Sequence, residues 1–187
     1  FARFIAIVSQ FGCSTFIVHA RKAWLKGLSP KENRDVPPLN YGRVYRLKQQ
    51  RPDLTIIING GITTIEAAEA HLERVDGVML GREAYHHPWS MADWDTRWLG
   101  AAHPAAASRE SVEQAMVAYM AREASSRGPP WSNIARHMMG LYNGVPGARR
   151  WRQVWSDHGL KALPPQAVLA RATAARLGWA QQESEAA

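Results

Sequence analysis

The sequence predicts an α/β architecture with parallel strands, followed by an all-α one. Apolar runs ending at Val18-His19, Ile58-Asn59 and Leu80-Gly81 each close on a polar or glycine tip, and helical patterns separate them. Near-continuous apolar strands alternating with helices call for parallel pairing with the helices outside. From Pro88 onward strand signals vanish, and apolar residues recur at helical spacing. Residues 1–95 are therefore expected to form the C-terminal half of a parallel (β/α)8 barrel, and residues 96–187 a helical bundle domain, joined near residues 90–105. Strand ends form the active face of such a barrel, so the layout points to a cofactor enzyme.

In chain order, residues 4–11 read as the end of a helix stopped at Gly12, and Thr15–His19 as a buried β-branched and aromatic strand. A long polar connection follows, from Ala20 to Leu39, and its length marks it as functional. Within it Ser29, Pro30 and Glu32 have capping-box spacing, which predicts one helical turn. Tyr41–Gln50 carries Val44, Leu47 and Lys48 at helical spacing, and residues 54–58 form the cleanest strand. Thr63 and Glu66 form a capping box for a helix over Ile65–Leu72, and residues 77–80 a third buried strand. Residues 82–87 then run up to Pro88. In the second portion Ser108 or Ser111 caps a helix with Val112, Met116, Tyr119 and Met120 on one face. Pro130 opens another, with Trp131, Ile134, Met138 and Leu141 at offsets of three and four and Gly140 and Gly144 near its end. Helices over 148–158 and 167–177 follow, and the tail 181–187 is expected to be disordered.

The 187 residues carry a net charge of +7 and a pI near 10.0, which suits an anionic partner such as nucleic acid. Basic residues gather in 21–51 and 136–152. Cys13 is the single cysteine, which excludes a disulfide framework and a thiolate zinc site and suits a reducing cytoplasm. Without a basic neighbour before His19, it reads as a buried structural thiol. No apolar run approaches the roughly 20 residues of a membrane span. Phe1 begins an apolar stretch without a charged leader, and the chain reads as a C-terminal fragment entered mid-helix.

Three groups of residues carry candidate chemistry. Asn59, Gly60 and Gly61 follow a strand and precede a capped helix, where paired glycines let backbone N–H groups approach an anion. Gly81 and Arg82 repeat the arrangement one strand later, with a guanidinium able to grip phosphate. Both also suit ordinary αβ turns, but together they match the phosphate site of the last strand ends of a barrel. His19, at the tip of the first strand, suits a flavin or phosphate contact, or a satisfied strand-end histidine. Lys22, Lys26, Lys31 and Arg34, interleaved with Trp24, suit a phosphate backbone or a solvated loop. Arg149, Arg150 and Arg152 flank Trp151, which pairs with Trp155 at i,i+4 and belongs inward. His86 and His87 are adjacent and lack companions, so a metal site is not expected.

Residues 19–34 (HARKAWLKGLSPKENR) resemble tRNA-dihydrouridine synthases, the DusA subgroup in particular. Residues 58–62 (INGGI), 77–85 (GVMLGREAY) and 136–149 (RHMMGLYNGVPGAR) are similar to the same family in the same order. The resemblance implies an FMN-dependent TIM barrel followed by a helical domain, which reduces uridine to dihydrouridine in the tRNA D-loop, expected at positions 20/20a. NADPH reduces the flavin, hydride passes from flavin N5 to uracil C6, and a cysteine protonates C5. By position, His19, Asn59, Gly60, Gly61, Gly81 and Arg82 would hold FMN. Lys31, Arg34, Arg149, Arg150 and Arg152 would contact tRNA. The expected protein is a cytoplasmic monomer with tRNA as partner and neither membrane nor metal.

The sequence departs from the family by lacking the first half of the barrel. With it go the catalytic cysteine in its Asn-x-Gly-Cys-Pro setting, a flavin-contacting lysine and a glutamine. Cys13 stands in the wrong context to be that cysteine. The 187 residues alone are therefore expected to be inactive, with exposed strand edges and barrel interior. A different FMN barrel acting on a small molecule shares the phosphate grip but does not need the basic loop. A non-catalytic RNA-binding remnant needs no flavin.

Overall fold

A computed structural model describes residues 1–24, 26–103, 108–126 and 128–185. The chain packs as two compact units, Phe1–Glu83 and Ala84–Ala187. Among the described residues no helix is long and apolar enough to cross a membrane.

The first unit contains α1 (Ala2–Gln10), β1 (Thr15–His19), α2 (Tyr41–Gln50), β2 (Thr55–Asn59), α3 (Ile65–Leu72) and β3 (Gly77–Met79). Its strands form one parallel sheet in the order β1-β2-β3, with Val18 opposite Ile58 and Ile58 opposite Val78. Phe16 and Val18 of β1 and Ile56 and Ile58 of β2 are buried, as are Val44 and Leu47 of α2 and Ala68 of α3. Asp76 fixes the edge of the sheet, accepting from the Ile56 N–H and from Lys48 Nζ, each at 2.8 Å.

The apolar runs read as buried strands, while half a barrel is expected to leave one face open, and one face of this sheet is open. Ile17 is 58% exposed and Met79 43%. Alternate side chains of a strand point to opposite faces, and among the described residues the buried face is that of Phe16, Val18, Ile56 and Ile58. The cap of α3 differs by one residue: Thr64 accepts from the Ala67 N–H at 3.1 Å, in place of Thr63. Cys13 is half-buried, with its thiol near the Thr15 carbonyl, because it sits in the turn entering β1 and not under the sheet.

The connection between β1 and α2 is folded. An antiparallel bridge of Arg21 and Leu39 closes its base. Ser29 and Glu32 exchange the expected capping-box bonds, Ser29 N–H to Glu32 Oε2 at 2.7 Å and Glu32 N–H to Ser29 Oγ at 3.3 Å. That contact holds the Glu32 carboxyl below its usual range and opens a 3-10 turn over Glu32–Arg34. Asn33 faces inward, donating to the carbonyls of Trp24, Leu28 and Ser29.

The second unit contains α4 (Arg82–His86, entering from the first unit), α5 (Trp94–Trp98), α6 (Arg109–Ser125), α7 (Trp131–Ala135), α8 (Ala148–Trp155) and α9 (Pro165–Glu185). Residues from 84 onward belong to it because His86 accepts from Asn143 Nδ2 at 2.6 Å and the Trp89 ring lies under Arg109. This division precedes the expected boundary at residue 95 and lies close to Pro88, where strand signals vanish; residues 104 and 105 of the expected joint lie outside the described residues. Both candidate serines act at the start of α6: Ser108 Oγ accepts from the Ser111 N–H and Ser111 Oγ accepts from the Ser108 N–H. The helix expected from Pro130 to Leu141 stops at Ala135. Beyond it Met138 and Leu141 bond three residues back and remain buried, while Gly140 lies against the His86 carbonyl where no Cβ fits. α9 extends to Glu185, into the tail expected to be disordered, because its Ala, Gln and Glu residues propagate an existing helix well. Ala186 and Ala187 lie outside the described residues.

Trp131, Trp151 and Trp155 fill the core of this unit with Met120, Tyr142 and Val168. Tyr119 is 38% exposed with Arg122 over its ring, so it leaves the buried stripe predicted for α6. The stripe instead includes a carboxylate: Glu113 is 2% exposed. Its Oε1 accepts from the indole N–H groups of Trp151 at 2.6 Å and Trp155 at 3.0 Å, and its Oε2 from the Tyr142 hydroxyl at 2.9 Å. Burial, and then the neighbouring carboxylate, push the Tyr142 phenol well above its ordinary range, so it stays a donor.

Candidate functional site

The C-terminal ends of the three strands gather His19, Asn59 and Met79 in one row. Asn59 ties the row together. Its Nδ2 donates to the Met79 carbonyl at 2.7 Å, which leaves Oδ1 facing His19 Nδ1 at 2.6 Å. Since Oδ1 only accepts, the His19 proton resides on Nδ1 and Nε2 is left for a ligand. Neutral His19 then accepts from a ligand N–H, and it donates to a ligand oxygen only when protonated.

The turn after β2 needs its glycines for packing. Gly60 and Gly61 have φ of 119° and 69°, in the region that side chains avoid. A Cβ on Gly61 would lie 2.6 Å from Leu39 Cδ1, and one on Gly60 3.1 Å from His19 Cε1. Tyr41, the first residue of α2, donates to the Gly60 carbonyl at 2.8 Å and packs edge-on to the buried His71 at 4.4 Å. Leu39 and Tyr41 thus clamp the turn from the end of the long loop. Gly81 is different: a Cβ there would meet no atom within 4 Å.

Arg82 reaches back to the loop. Its Nη1 meets Asp35 Oδ1 at 2.6 Å and its Nη2 donates to the Arg34 carbonyl at 3.3 Å. The guanidinium beside Asp35 holds that carboxyl below its usual range. Arg21 adds donation to the Asp35 carbonyl at 3.1 Å and a bond to the Pro37 carbonyl. Lys31 and Arg34 are exposed on the 3-10 turn these contacts hold. A cleft of ≈ 300 Å³ beside the β1 tip is lined by His19, Arg21, Lys22, Trp24 and Arg43 among others.

In the second unit Arg149 and Arg150 are exposed at the start of α8, lining an open groove of ≈ 710 Å³ with His87 and Arg152. Arg152 is half-buried, its Nη1 donating to Asn143 Oδ1 at 2.8 Å. A neighbouring pocket of ≈ 180 Å³ is lined by Tyr85, Arg136, His137 and Arg152 among others. There Arg136 Nε donates to His137 Nε2 at 3.1 Å, and His137 Nδ1 lies 2.9 Å from the Tyr85 hydroxyl. Among the described residues no group of three or more His, Cys, Asp or Glu is placed to hold a metal.

The family model for dihydrouridine synthase (Dus) matches residues 1–175. The chain belongs to the dihydrouridine synthase family. It is 51% identical over 170 residues to a tRNA-dihydrouridine(20/20a) synthase of Salmonella typhimurium, covering 90% of this chain and 51% of that protein. Proteins of the same name from Escherichia coli K12 and Shewanella oneidensis are 52% and 51% identical, over 85% and 84% of this chain and 46% and 47% of theirs. The chain spans about half the length of the curated relatives it matches.

Within this member of the synthase family, the strand-end residues form one cluster and Lys31 and Arg34 form another, and Arg82 touches the second. The supporting residues Leu39, Tyr41 and Asp35 escape a reading of motifs, and Asn33 lies in the run 19–34 with no role assigned to it. Only Tyr41 carried a signal, as an aromatic residue opening a helix directly after the loop.

Proposed function

We propose that the protein containing this chain is an FMN- and NADPH-dependent tRNA-dihydrouridine synthase that reduces uridine at positions 20/20a of the D-loop. The observation that carries this reading is the 51% identity over 170 residues with a relative of that name. Lys31 and Arg34, exposed at the two ends of the 3-10 turn, support a nucleic-acid substrate over a small molecule, which would have no use for them. The parallel sheet, with helices on one face and Ile17 and Met79 open on the other, supports half of a TIM (β/α)8 barrel with that open face as its interior.

The strand-end donor set fits the phosphate end of a flavin nucleotide. Arg82 spends Nη1 on Asp35 and keeps its Nε edge for an oxyanion, and open space lies beside Gly81. When bound, FMN supplies the hydride for the uracil ring. The chain's own part is to hold it: His19 through Nε2, Asn59 by fixing that imidazole, Gly60, Gly61 and Gly81 by leaving the backbone close to the ligand, and Arg82 by charge. Lys31 and Arg34 would grip the tRNA backbone, as would Arg149, Arg150 and Arg152 of a helical tRNA-binding domain.

Two sets of variants in the full-length protein separate these roles. Arg82→Ala should cut flavin affinity roughly 10- to 100-fold, since a charge-assisted contact is lost; unchanged flavin content would remove Arg82 from the site. Lys31→Ala with Arg34→Ala should keep flavin and weaken tRNA binding, flattening the slope of log K against log salt by about one per residue. Normal tRNA affinity and slope would reduce the turn to solvated surface.

A further inference from the structure

Arg82 belongs to two places at once. It follows β3 at the strand ends, yet its guanidinium is bonded to the loop that carries Lys31 and Arg34. One side of the guanidinium is used there, Nη1 on Asp35 Oδ1 at 2.6 Å and Nη2 on the Arg34 carbonyl at 3.3 Å. A guanidinium has five N–H donors in a rigid fork, so the Nε side can take an oxyanion without releasing the loop. The 3-10 turn is thereby held at both ends, by the Ser29–Glu32 bonds in front and by Arg82 behind.

Building on the proposed phosphate site, we infer that Asp35 is a positioning residue that couples cofactor binding to tRNA binding. An FMN phosphate on the Nε side fixes the Arg82 guanidinium. Through its ion pair with Asp35, and more weakly through its 3.3 Å bond to the Arg34 carbonyl, that guanidinium holds the turn, so Lys31 and Arg34 are presented in one arrangement and tRNA loses less freedom on binding. Linkage makes the effect reciprocal: bound tRNA tightens FMN by the same factor. Because the Asp35 and Arg82 side chains are 47% and 54% exposed, solvent screens the pair and the coupling is modest, about threefold to fivefold.

The experiment measures tRNA affinity of the full-length protein stripped of flavin, then loaded with FMN, then given riboflavin, which lacks the phosphate. FMN should tighten tRNA about threefold to fivefold, and riboflavin should not. Asp35→Ala, on an exposed loop, should bind FMN and lose most of the gain, since only the 3.3 Å bond of Arg82 to the Arg34 carbonyl then ties the two, and Asp35→Glu should recover part of it. A wild-type protein that binds FMN with tRNA affinity unmoved overturns the coupling alone, as does an Asp35→Ala protein that keeps the full gain. Failure of the wild type to bind FMN at all overturns the phosphate site and the coupling with it.

Discussion

Glu113→Ala is expected to unfold the second unit in mild denaturant. The substitution leaves two indole N–H groups and a phenol O–H without an acceptor in a packed interior. Each unmade bond costs about 1–3 kcal/mol, and part of that is recovered if water enters, so a loss of roughly 3–5 kcal/mol follows. That is a large share of a domain's total stability. Glu113→Gln separates hydrogen bonding from charge. Its amide oxygen can keep both tryptophans, as Oε1 does now, while its amide nitrogen donates to the Tyr142 oxygen in place of Oε2. It should lose only about 1 kcal/mol, the worth of one ordinary hydrogen bond. Urea titration of the full-length protein followed by tryptophan emission checks both. Equal losses for the two variants would mean that the carboxylate charge, and not the acceptor geometry, holds the core.

Gly147→Ala should be nearly as severe for a different reason. Gly147 precedes α8 with φ of 77°, and a Cβ there would fall inside contact distance of the Arg176 carbonyl on α9. The backbone strain alone costs about 1–2 kcal/mol, and overpacking against main chain adds roughly 1–3 kcal/mol because no side chain can swing aside. α8 must lift from α9, and it takes Arg149, Arg150 and Arg152 with it. The same urea titration should show the loss, with tRNA affinity falling in the folded fraction. A variant as stable as the wild type would mean that α8 and α9 do not approach this closely.

What the sequence disclosed depended on how locally each feature is determined. Three parallel strand tips and the Ser29–Glu32 turn are written in runs of a few residues, and these appear where expected. The apolar run around Ile17 looks the same whether one face or both are covered, and only the expectation of half a barrel pointed to an open face. Nothing local marks Glu113 as buried, since its partners lie 29 to 42 residues further along the chain. Arg82 and Asp35 are 47 residues apart, so Arg82 read as a phosphate ligand with no hint of its tie to the loop. α7 ends at Ala135 although the apolar spacing runs on to Leu141, and beyond it Gly140 meets the His86 backbone, a close approach that helical spacing does not encode.

The most direct measurement is a map of dihydrouridine in tRNA from cells that lack it at positions 20 and 20a, after supplying the full-length gene. Dihydrouridine restored at those two uridines, and not by the same gene carrying Arg82→Ala, is the expected result. Full-length protein present in the cell, with uridine unreduced at both positions, would contradict a tRNA-dihydrouridine synthase of this specificity.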